Sequence, residues 1–401
     1  MAEADSMRTG EVGRVTSRRP PDRRARIVAA AGVLFCERGY HNVSVADVAS
    51  AVGMTAPALY RHFRGKQDLL LHVVTGTIEK IAATVRAAPD LESYLRVSAS
   101  QSVDRRGAAT LWQREARHLP EADREELRRA LGAIAGRVGV LVQEDRPELA
   151  EPEVELTAWS VISVFGSISG HRASLPQRRF EQLLYELAHA AAHRASAPTV
   201  PAVTMEEDGR DQGYADLAVS RREELLTAAI RLFDERGFQS VSTDDIGAAI
   251  GATGPSIYNH FPSKTDLLVA AVVRGGEQRR AGTERALARA STPRESLDGL
   301  LRSYIEFAQR HSHLIGLLIA ELDQLPEKER KASRQAQRDY LALWGHVLGD
   351  VRPDLDPAEV KITVGAVLTV IDNTVRTGRL GGRSDLADRL AAVGTALLLS
   401  G

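Results

Sequence analysis

The chain contains one long segment twice. Residues 23–70 and 221–268 align without a gap at a constant offset of 198, and 23 of the 48 aligned positions are identical. A repeat of this length exceeds the periods of most solenoid repeats and is large enough to be a whole small domain. The sequence therefore predicts two similar halves of about 190 residues each, both large enough to have a core of their own.

Weaker similarity continues beyond the repeated segment. Residues 119–120 (Leu-Pro) correspond to 325–326, and 146–149 (Arg-Pro-Glu-Leu) correspond to 352–355 (Arg-Pro-Asp-Leu). The offset at these positions is 206, eight more than in the repeated segment. We interpret the change as eight additional residues in the first half, somewhere between positions 70 and 119. Whole units, and not only the repeated domain, are thus predicted to be duplicated.

Composition is that of an ordinary globular protein. Hydrophobic residues make up 43% of the chain and charged residues 26%, both within the usual range. The single cysteine, Cys36, excludes an intrachain disulfide and suits a reducing compartment. The sequence has neither a signal-peptide pattern nor an apolar run long enough to span a bilayer. We expect a cytoplasmic protein with no membrane partner.

The apolar periodicity is helical nearly throughout, so the predicted fold class is all-α. Ile27, Ala30, Ala31, Leu34 and Phe35 follow the spacing of one helix face, and no convincing alternating strand is visible. The longer amphipathic stretches cover residues 66–86, 121–144, 153–171 and 178–193 in the first half, and 264–289, 327–349, 357–378 and 384–399 in the second.

The repeated segment has the pattern of two short helices joined by a tight turn. Ser44 followed by Asp47 is a capping-box start for a helix, and the second copy has the same pair at residues 242 and 245. Gly53 supplies a residue that can take positive φ at the turn. Thr55 is predicted to cap the next helix, and Pro57 suits its first turn. This is the pattern of a DNA-binding helix-turn-helix.

The order of these residues resembles the N-terminal domain of the TetR family of transcriptional repressors. The match covers about 48 residues in each half and includes the shared run Tyr-x-His-Phe-x-x-Lys-x-Asp-Leu-Leu, which ends at Leu70 and Leu268. Two copies in one chain resemble the tandem TetR regulators, some actinobacterial members of which control lipid or steroid metabolism. The resemblance implies, in each half, a three-helix DNA-binding domain followed by a helical domain for effector binding and dimerisation.

The resemblance also implies a domain map. Residues 1–21 are basic and poor in apolar side chains, and we expect them to be disordered, either as a solvated tail or as an arm that enters the minor groove. A linker rich in Pro, Gly and acids is predicted at 196–218. The DNA-binding domains, here called the first and second readers, are residues 22–68 and 219–266. The helical domains that follow them are residues 69–195 and 267–401.

DNA-contacting positions follow from the same resemblance. The residues that open each recognition helix would face base edges, with Arg61 as an added polar contact, and Tyr60, His62 and Lys66 would contact phosphates. A core or hinge role for Tyr60 and a solvated surface position for Lys66 are the alternatives. The predicted positions are Ser44, Thr55, Ala56, Pro57, Ala58, Tyr60, Arg61, His62 and Lys66 in the first reader, and Ser242, Thr253, Gly254, Pro255, Ser256, Tyr258, Asn259, His260 and Lys264 in the second.

The two readers differ in charge and in recognition helix. Residues 18–66 contain nine Lys or Arg and three acids, whereas residues 216–264 contain five and seven. DNA affinity depends largely on neutralised phosphates, so we expect the first reader to bind more tightly. Arg61 suits guanine or phosphate, while its counterpart Asn259 suits adenine. The chain is therefore predicted to bind double-stranded DNA at an asymmetric, bipartite operator.

In the family, the last two helices of each unit form the dimer interface. The corresponding segments here are 154–171 with 180–193 and 360–376 with 386–399, and the linker favours their pairing within one chain as a pseudo-dimer. A further homodimer stays open. A small, hydrophobic effector is expected between helices of each C-terminal region. Its candidate lining residues, each with ordinary core packing or surface exposure as the alternative, are Trp112, Glu115, Tyr304, Phe307, Glu321 and Trp344.

The sequence patterns that could indicate an enzyme are incomplete. His311 and His313 lack further ligands at metal-site spacing, the serines of residues 166–170 are misplaced for a nucleophile elbow, and Cys36 has no catalytic partner. We expect no enzyme activity, cofactor or metal. The predicted function is a ligand-responsive transcriptional repressor, with activation as an open variant. The alternative is a small-molecule-binding or protein-interaction module whose second reader no longer binds DNA.

Overall fold

The computed structural model describes residues 23–170, 172–193, 221–252 and 257–400. Every regular element within these ranges is a helix, which confirms the all-α fold class. The predicted basic arm at 1–21 and the predicted linker at 196–218 lie outside the described residues. None of the described helices combines the length and the apolar character needed to cross a bilayer.

The helices of the two halves follow one order. Those of the first half are α1 (Arg23–Arg38), α2 (Val45–Ala51), α3 (Ala56–Leu59), α4 (Lys66–Ala87), α5 (Leu91–Asp104), α6 (Ala108–Thr110), α7 (Glu121–Asp145), α8 (Glu151–Ser167) and α9 (Gln177–His193). A π-helical turn (Leu111–Glu115) and a 3-10 turn (Ala116–His118) join α6 to α7, and a further 3-10 turn (Ile168–Gly170) follows α8.

The described helices of the second half continue this numbering. They are α10 (Arg221–Arg236), α11 (Thr243–Ala249), α12 (Lys264–Arg289), α13 (Pro293–Arg310), α14 (Ser312–Ala320), α15 (Glu327–Val351), α16 (Pro357–Val375), α17 (Gly378–Gly381) and α18 (Leu386–Leu398), with a 3-10 turn (Leu322–Gln324) between α14 and α15.

The predicted capping boxes are confirmed in both readers. Ser44 Oγ accepts the N–H of Asp47 at 3.1 Å, and the Asp47 carboxylate accepts the N–H of Ser44 at 2.7 Å, so α2 begins at Val45, directly after Ser44. Ser242 and Asp245 form the same reciprocal pair before α11. Each box satisfies N–H groups that the first helical turn leaves without partners.

The turn between the two short helices also follows the prediction, except at its threonine. Gly53 and Gly251 have φ of 69° and 66°, the left-handed region that favours glycine. Pro57 lies in the first turn of α3 as predicted. Thr55 occupies the N-cap position, but its side chain makes no capping hydrogen bond, so that part of the prediction is wrong. Its counterpart Thr253 lies outside the described residues.

The length difference between the halves belongs to the second half, so our interpretation of the offset is wrong. Helix α12 has 26 residues where α4 has 22, and α13 has 18 where α5 has 14. The eight additional residues are therefore two helical turns, one in each of two packed helices. Each turn adds about 5–6 Å of length to its helix.

The two halves meet along their last helices. Helix α8 packs against α16, and α9 packs against α18. At the centre, the side-chain amide of Asn373 donates to Ser163 Oγ of the other half at 3.0 Å. Toward one end, Arg389 lies 2.9 Å from the Glu153 carboxylate, and toward the other Arg179 pairs with Glu359. Buried apolar residues of both halves form one continuous cluster.

Candidate nucleic-acid interface and ligand cavities

An exposed tyrosine stands at the same place in both readers. Tyr60 is 54% exposed and Tyr258 is 55% exposed, although the residues just before them, Leu59 and Ile257, are fully buried. The structure thus excludes a core role for Tyr60. A large ring with a hydroxyl group, presented to solvent in both copies, can stack or donate a hydrogen bond to an external partner.

The other predicted DNA-contacting positions lie around this tyrosine. In the first reader Thr55, Pro57 and Arg61 are exposed, while Ala56, Ala58 and His62 are partly buried. Ser44 is exposed, but its hydroxyl group is engaged in the capping box. In the second reader Ser242, Asn259 and His260 are exposed, and Thr253, Gly254, Pro255 and Ser256 lie outside the described residues.

Both predicted phosphate-binding lysines contact the protein itself. The Lys264 ammonium donates to the carbonyl oxygens of Phe238 and Val241, each at 2.8 Å, and lies 4.4 Å from the centre of the Phe238 ring. Lys66 lies 4.1 Å from the centre of the Tyr40 ring. Partial burial lowers the pKa of both ammonium groups. The recurrence of this lysine therefore has a structural explanation, and a phosphate contact stays a prediction.

A buried glutamate joins each reader to its helical domain. Glu115 accepts the backbone N–H of Tyr40 at 2.9 Å, and Glu321 accepts that of Phe238 at the same distance. Both glutamates are 2% exposed, and burial raises the pKa of both carboxyl groups. The two acceptors fix the turn between the first two helices of each reader, which is a role that the sequence did not suggest.

A cavity of about 600 Å³ lies among α12, α13, the α14 region and α15 of the second half. Its walls are mostly apolar, although charged residues of α12 and α15, among them Arg279 and Asp339, also line it. Within it Tyr304 donates its hydroxyl hydrogen to Asp372 at 2.8 Å. Burial raises the pKa of Asp372 to about 7. An apolar cavity of this size with a small polar cluster is the usual form of a site for a small organic ligand.

The first half has a much smaller cavity of about 110 Å³, room for three or four water molecules. Trp112, Gln113 and Trp159 line it, together with Asn373 from α16 of the other half. Gln113 donates to the side-chain oxygen of Asn373 at 3.1 Å. Part of the wall of this cavity therefore belongs to the second half.

The structure separates the six predicted effector-pocket residues into three groups. Trp112 lines the small cavity and Tyr304 lines the large one. Phe307 and Trp344 are buried without lining either cavity, and Trp344 is fully enclosed. Glu115 and Glu321 are the acceptors for the reader turns. The polar residues that sequence reasoning missed are Asp372 and Asn373, which interrupt an otherwise apolar helix and were detectable for that reason.

Comparison with known proteins gives the family. The model of bacterial regulatory proteins of the tetR family matches residues 27–73 and 225–271. The HTH-type transcriptional repressor KstR2 of Mycolicibacterium smegmatis is 31% identical over 148 residues, which cover 34% of this chain and 70% of that protein. The chain belongs to the TetR family. Two family matches in one polypeptide make it a tandem TetR-type chain.

Two further proteins are similar to parts of this tandem TetR chain. The HTH-type transcriptional activator FasR of Mycolicibacterium smegmatis is 30% identical over 92 residues, 23% of this chain and 42% of FasR, so the match spans less than half the length of that protein. The solved structure of the ketosteroid transcriptional regulator KstR2 of Mycobacterium tuberculosis has a TM-score of 0.40 and 25% identity, and covers 45% of this chain and 94% of that chain.

Proposed function

We propose that this tandem TetR chain is a ligand-responsive transcriptional repressor. Its two readers bind the unlike halves of one asymmetric, bipartite operator, and the two halves of the chain pack as an intramolecular pseudo-dimer. The observation that carries the proposal is the exposed tyrosine at the same place in two readers whose recognition helices differ. Because Arg61 and Asn259 are both exposed beside that tyrosine, the two readers present different hydrogen-bonding groups.

The effector is proposed to bind in the cavity of the second half. Its mostly apolar walls and its Tyr304–Asp372 pair fit a largely hydrophobic molecule with one hydrogen-bonding group. Helix α12 begins in the second reader and continues along the cavity, where Val269 and Val272 line it. A ligand that favours another position of α12 would therefore also move the reader, and the operator would be released.

Selection of binding sites from random duplex DNA, followed by footprinting, tests this proposal. The variants are Tyr60→Ala and Tyr258→Ala, and Val97→Ala, an exposed residue of α5, is the matched control. We expect a bipartite site without a palindrome, occupied by one chain. Each tyrosine variant should weaken protection of one half-site, a different one in each case. Failure to enrich any sequence would contradict the whole proposal.

The alternative function is a binding or interaction module in which the second reader is idle. Two observations favour it for that reader: acids outnumber bases between residues 216 and 264, and the Lys264 ammonium is engaged by two carbonyl groups. In that case the selected site would be a palindrome bound by two chains. The Tyr258→Ala variant would then bind it with unchanged affinity, while Tyr60→Ala would not.

A further inference from the structure

Charged residues of the two halves meet between the buried glutamates. Arg114 pairs with Asp323 of the other half. Arg117 donates to the Glu321 carboxylate at 2.7 Å and to the carbonyl oxygen of Ala320 at 2.5 Å. The Arg117 side chain is only 15% exposed, and that of Glu321 only 2%. We call the four positions 114, 117, 320 and 323 the junction.

The junction consists of two copies of one contact. At the offset of 206, position 114 corresponds to 320 and position 117 corresponds to 323. This correspondence has independent support, because Glu115 and Glu321 have the same offset and the same role toward their readers. Position 114 meets 323, and position 117 meets 320, as an approximate twofold relation between the halves requires. The residues at the corresponding positions are nevertheless different.

That difference has consequences for pairing between identical halves. Two first halves would bring Arg114 of each against Arg117 of the other, so in both copies of the contact two arginines would share the carboxylate of Glu115, the counterpart of Glu321. Two second halves would pair Ala320 with Asp323 and would leave the buried Glu321 without Arg117. Like charges brought together repel, and a buried carboxylate without its cation is strongly disfavoured. A first half with a second half gives Arg114 the carboxylate of Asp323 and gives Glu321 the cation of Arg117, which neither pairing of identical halves does.

We propose that the junction is a pairing-specificity site: the dimerisation surface of each half accepts the unlike half and rejects its own copy. The partner half is the one in the same chain or the unlike half of a second copy of this chain. Complementary charges together with repulsion in the wrong pairing are the usual means by which related surfaces discriminate. This inference requires neither DNA nor effector, so it goes beyond the proposed function.

The decisive test makes the first half complementary to itself. In full-length Arg117→Asp, the first half carries both Arg114 and a carboxylate at position 117, so two first halves satisfy each other. Within the chain, the introduced carboxylate repels Glu321. Sedimentation velocity over a hundredfold range of concentration is the measurement. Compared with the wild-type chain, we expect a new concentration-dependent species that contains one additional chain. The Arg117→Ala variant, which removes the ion pair without creating a complement, should sediment as the wild type does.

A second control distinguishes attraction between two first halves from simple separation of the two halves of one chain. The double variant Arg114→Ala/Arg117→Asp keeps the repulsion of Glu321 but lacks the arginine that the introduced carboxylate needs in the partner. We expect it to lack the new species. If the double variant or Arg117→Ala associates as strongly as Arg117→Asp does, or if Arg117→Asp does not associate, the charges do not select the partner and the proposal is wrong.

Charge exchange across the junction gives an independent measurement. Arg114→Asp and Asp323→Arg each place like charges against each other, and each should lower the Tm of the full chain by about 3 °C or more. The loss in the exchanged chain, Arg114→Asp/Asp323→Arg, should be smaller than the sum of the two single losses, because the exchanged charges attract across the junction. Recovery is incomplete, because Glu115 and Arg334 of the same halves then face like charges. The same exchange in the exposed pair Arg310 and Glu306 within α13 should change the Tm by less than about 1 °C. Additive losses in the exchanged junction would contradict the pairing.

These measurements can fail independently of the proposed function. Sedimentation and thermal unfolding are done without DNA, so an unselective junction would leave site selection and footprinting unaffected. Conversely, if the chain enriches no DNA sequence, sedimentation of Arg117→Asp still tests the junction, because the expected two-chain species forms without DNA.

Discussion

The two halves have the same helix order but very different cavities, of about 110 Å³ in the first half and about 600 Å³ in the second. Two tryptophans distinguish the smaller cavity. Trp112 and Trp159 line the small cavity, and the positions 206 residues later hold Leu318 and Gly365. The second half also has longer α12 and α13 helices. The smaller cavity of the first half thus accompanies both bulkier side chains and shorter helices.

The polar residues that line the two cavities also differ. The second cavity has Tyr304 and Asp372 where the first has Ser98 and Gly166 at the corresponding positions. The hydrogen-bonded pair that could orient a ligand is therefore confined to the larger cavity. The first cavity instead receives Asn373 from the opposite half. The polar groups of the larger cavity thus come from the second half itself, whereas the smaller cavity has a polar side chain from the opposite half.

The largest expected effect concerns the two cores. Trp344 is fully buried in the second half, and its counterpart in the first half is Val138, which is also fully buried. Trp344→Ala should lower the free energy of unfolding by about 3–5 kcal/mol, because the surrounding helices cannot close so large a void. Val138→Ala should lower it by only about 1–2 kcal/mol. Urea unfolding measures both, and a loss in Trp344→Ala as small as the one predicted for Val138→Ala would mean that the second core does not depend on its tryptophan.

A smaller effect should depend on pH. Burial raises the pKa of Asp372 from 3.8 to about 7, so protonation favours the folded state. The corresponding stability is present below about pH 4 and is lost as the pH rises through 7. Asp372→Asn removes this dependence. We expect the variant to be more stable than the wild type by roughly 2 kcal/mol at pH 8, since the carboxyl group is partly exposed.

The measurements near pH 4 serve as the control for the effect expected at pH 8. The difference in Tm between Asp372→Asn and the wild type should shrink toward pH 4, because the wild-type carboxyl group is then protonated. A difference that is the same at every pH would show that the folded protein does not protonate this carboxyl group. The first half offers no counterpart to this titration, since Gly166 occupies the corresponding position.

The smallest expected effect distinguishes the readers. Arg61→Ala should weaken binding to the selected operator by about tenfold and reduce the slope of log affinity against log salt by about one, because it removes one cation. Asn259→Ala should weaken binding less and leave the slope unchanged, because asparagine is neutral. Fluorescence anisotropy at several salt concentrations measures both quantities. An unchanged slope in Arg61→Ala would mean that this side chain does not reach a phosphate.

The sequence predicted the helices well wherever apolar spacing was regular. The stretch predicted at 66–86 is α4, Lys66–Ala87, and the one predicted at 327–349 is α15, Glu327–Val351. Helices α5 and α13 were not predicted, although a signal was present. Asp90 and Thr292 stand just before them, and the side chain of each caps its helix. Local chemistry of this kind is readable from sequence alone.

The cavities were less predictable than the readers. A reader is a short, local motif, so its turn glycine and its capping residues can be recognised in order along the chain. A cavity wall depends on which faces of distant helices meet, as with Trp112 of the first half and Asn373 of the second. Sequence gives the polarity of such residues but not their neighbours. For the same reason the junction became visible only when the contacts between the halves were known.

Arg114 and Arg117 also bear on how this chain can evolve. A descendant that kept only the first half would have to assemble with itself, and four arginines would meet in that dimer. A descendant that kept only the second half would leave two buried Glu321 side chains without the arginine that they accept from in this chain. Deletion of either half is therefore not a simple return to a single-unit ancestor, because a compensating substitution must come first. A junction that selects unlike halves would therefore favour inheritance of the two units together.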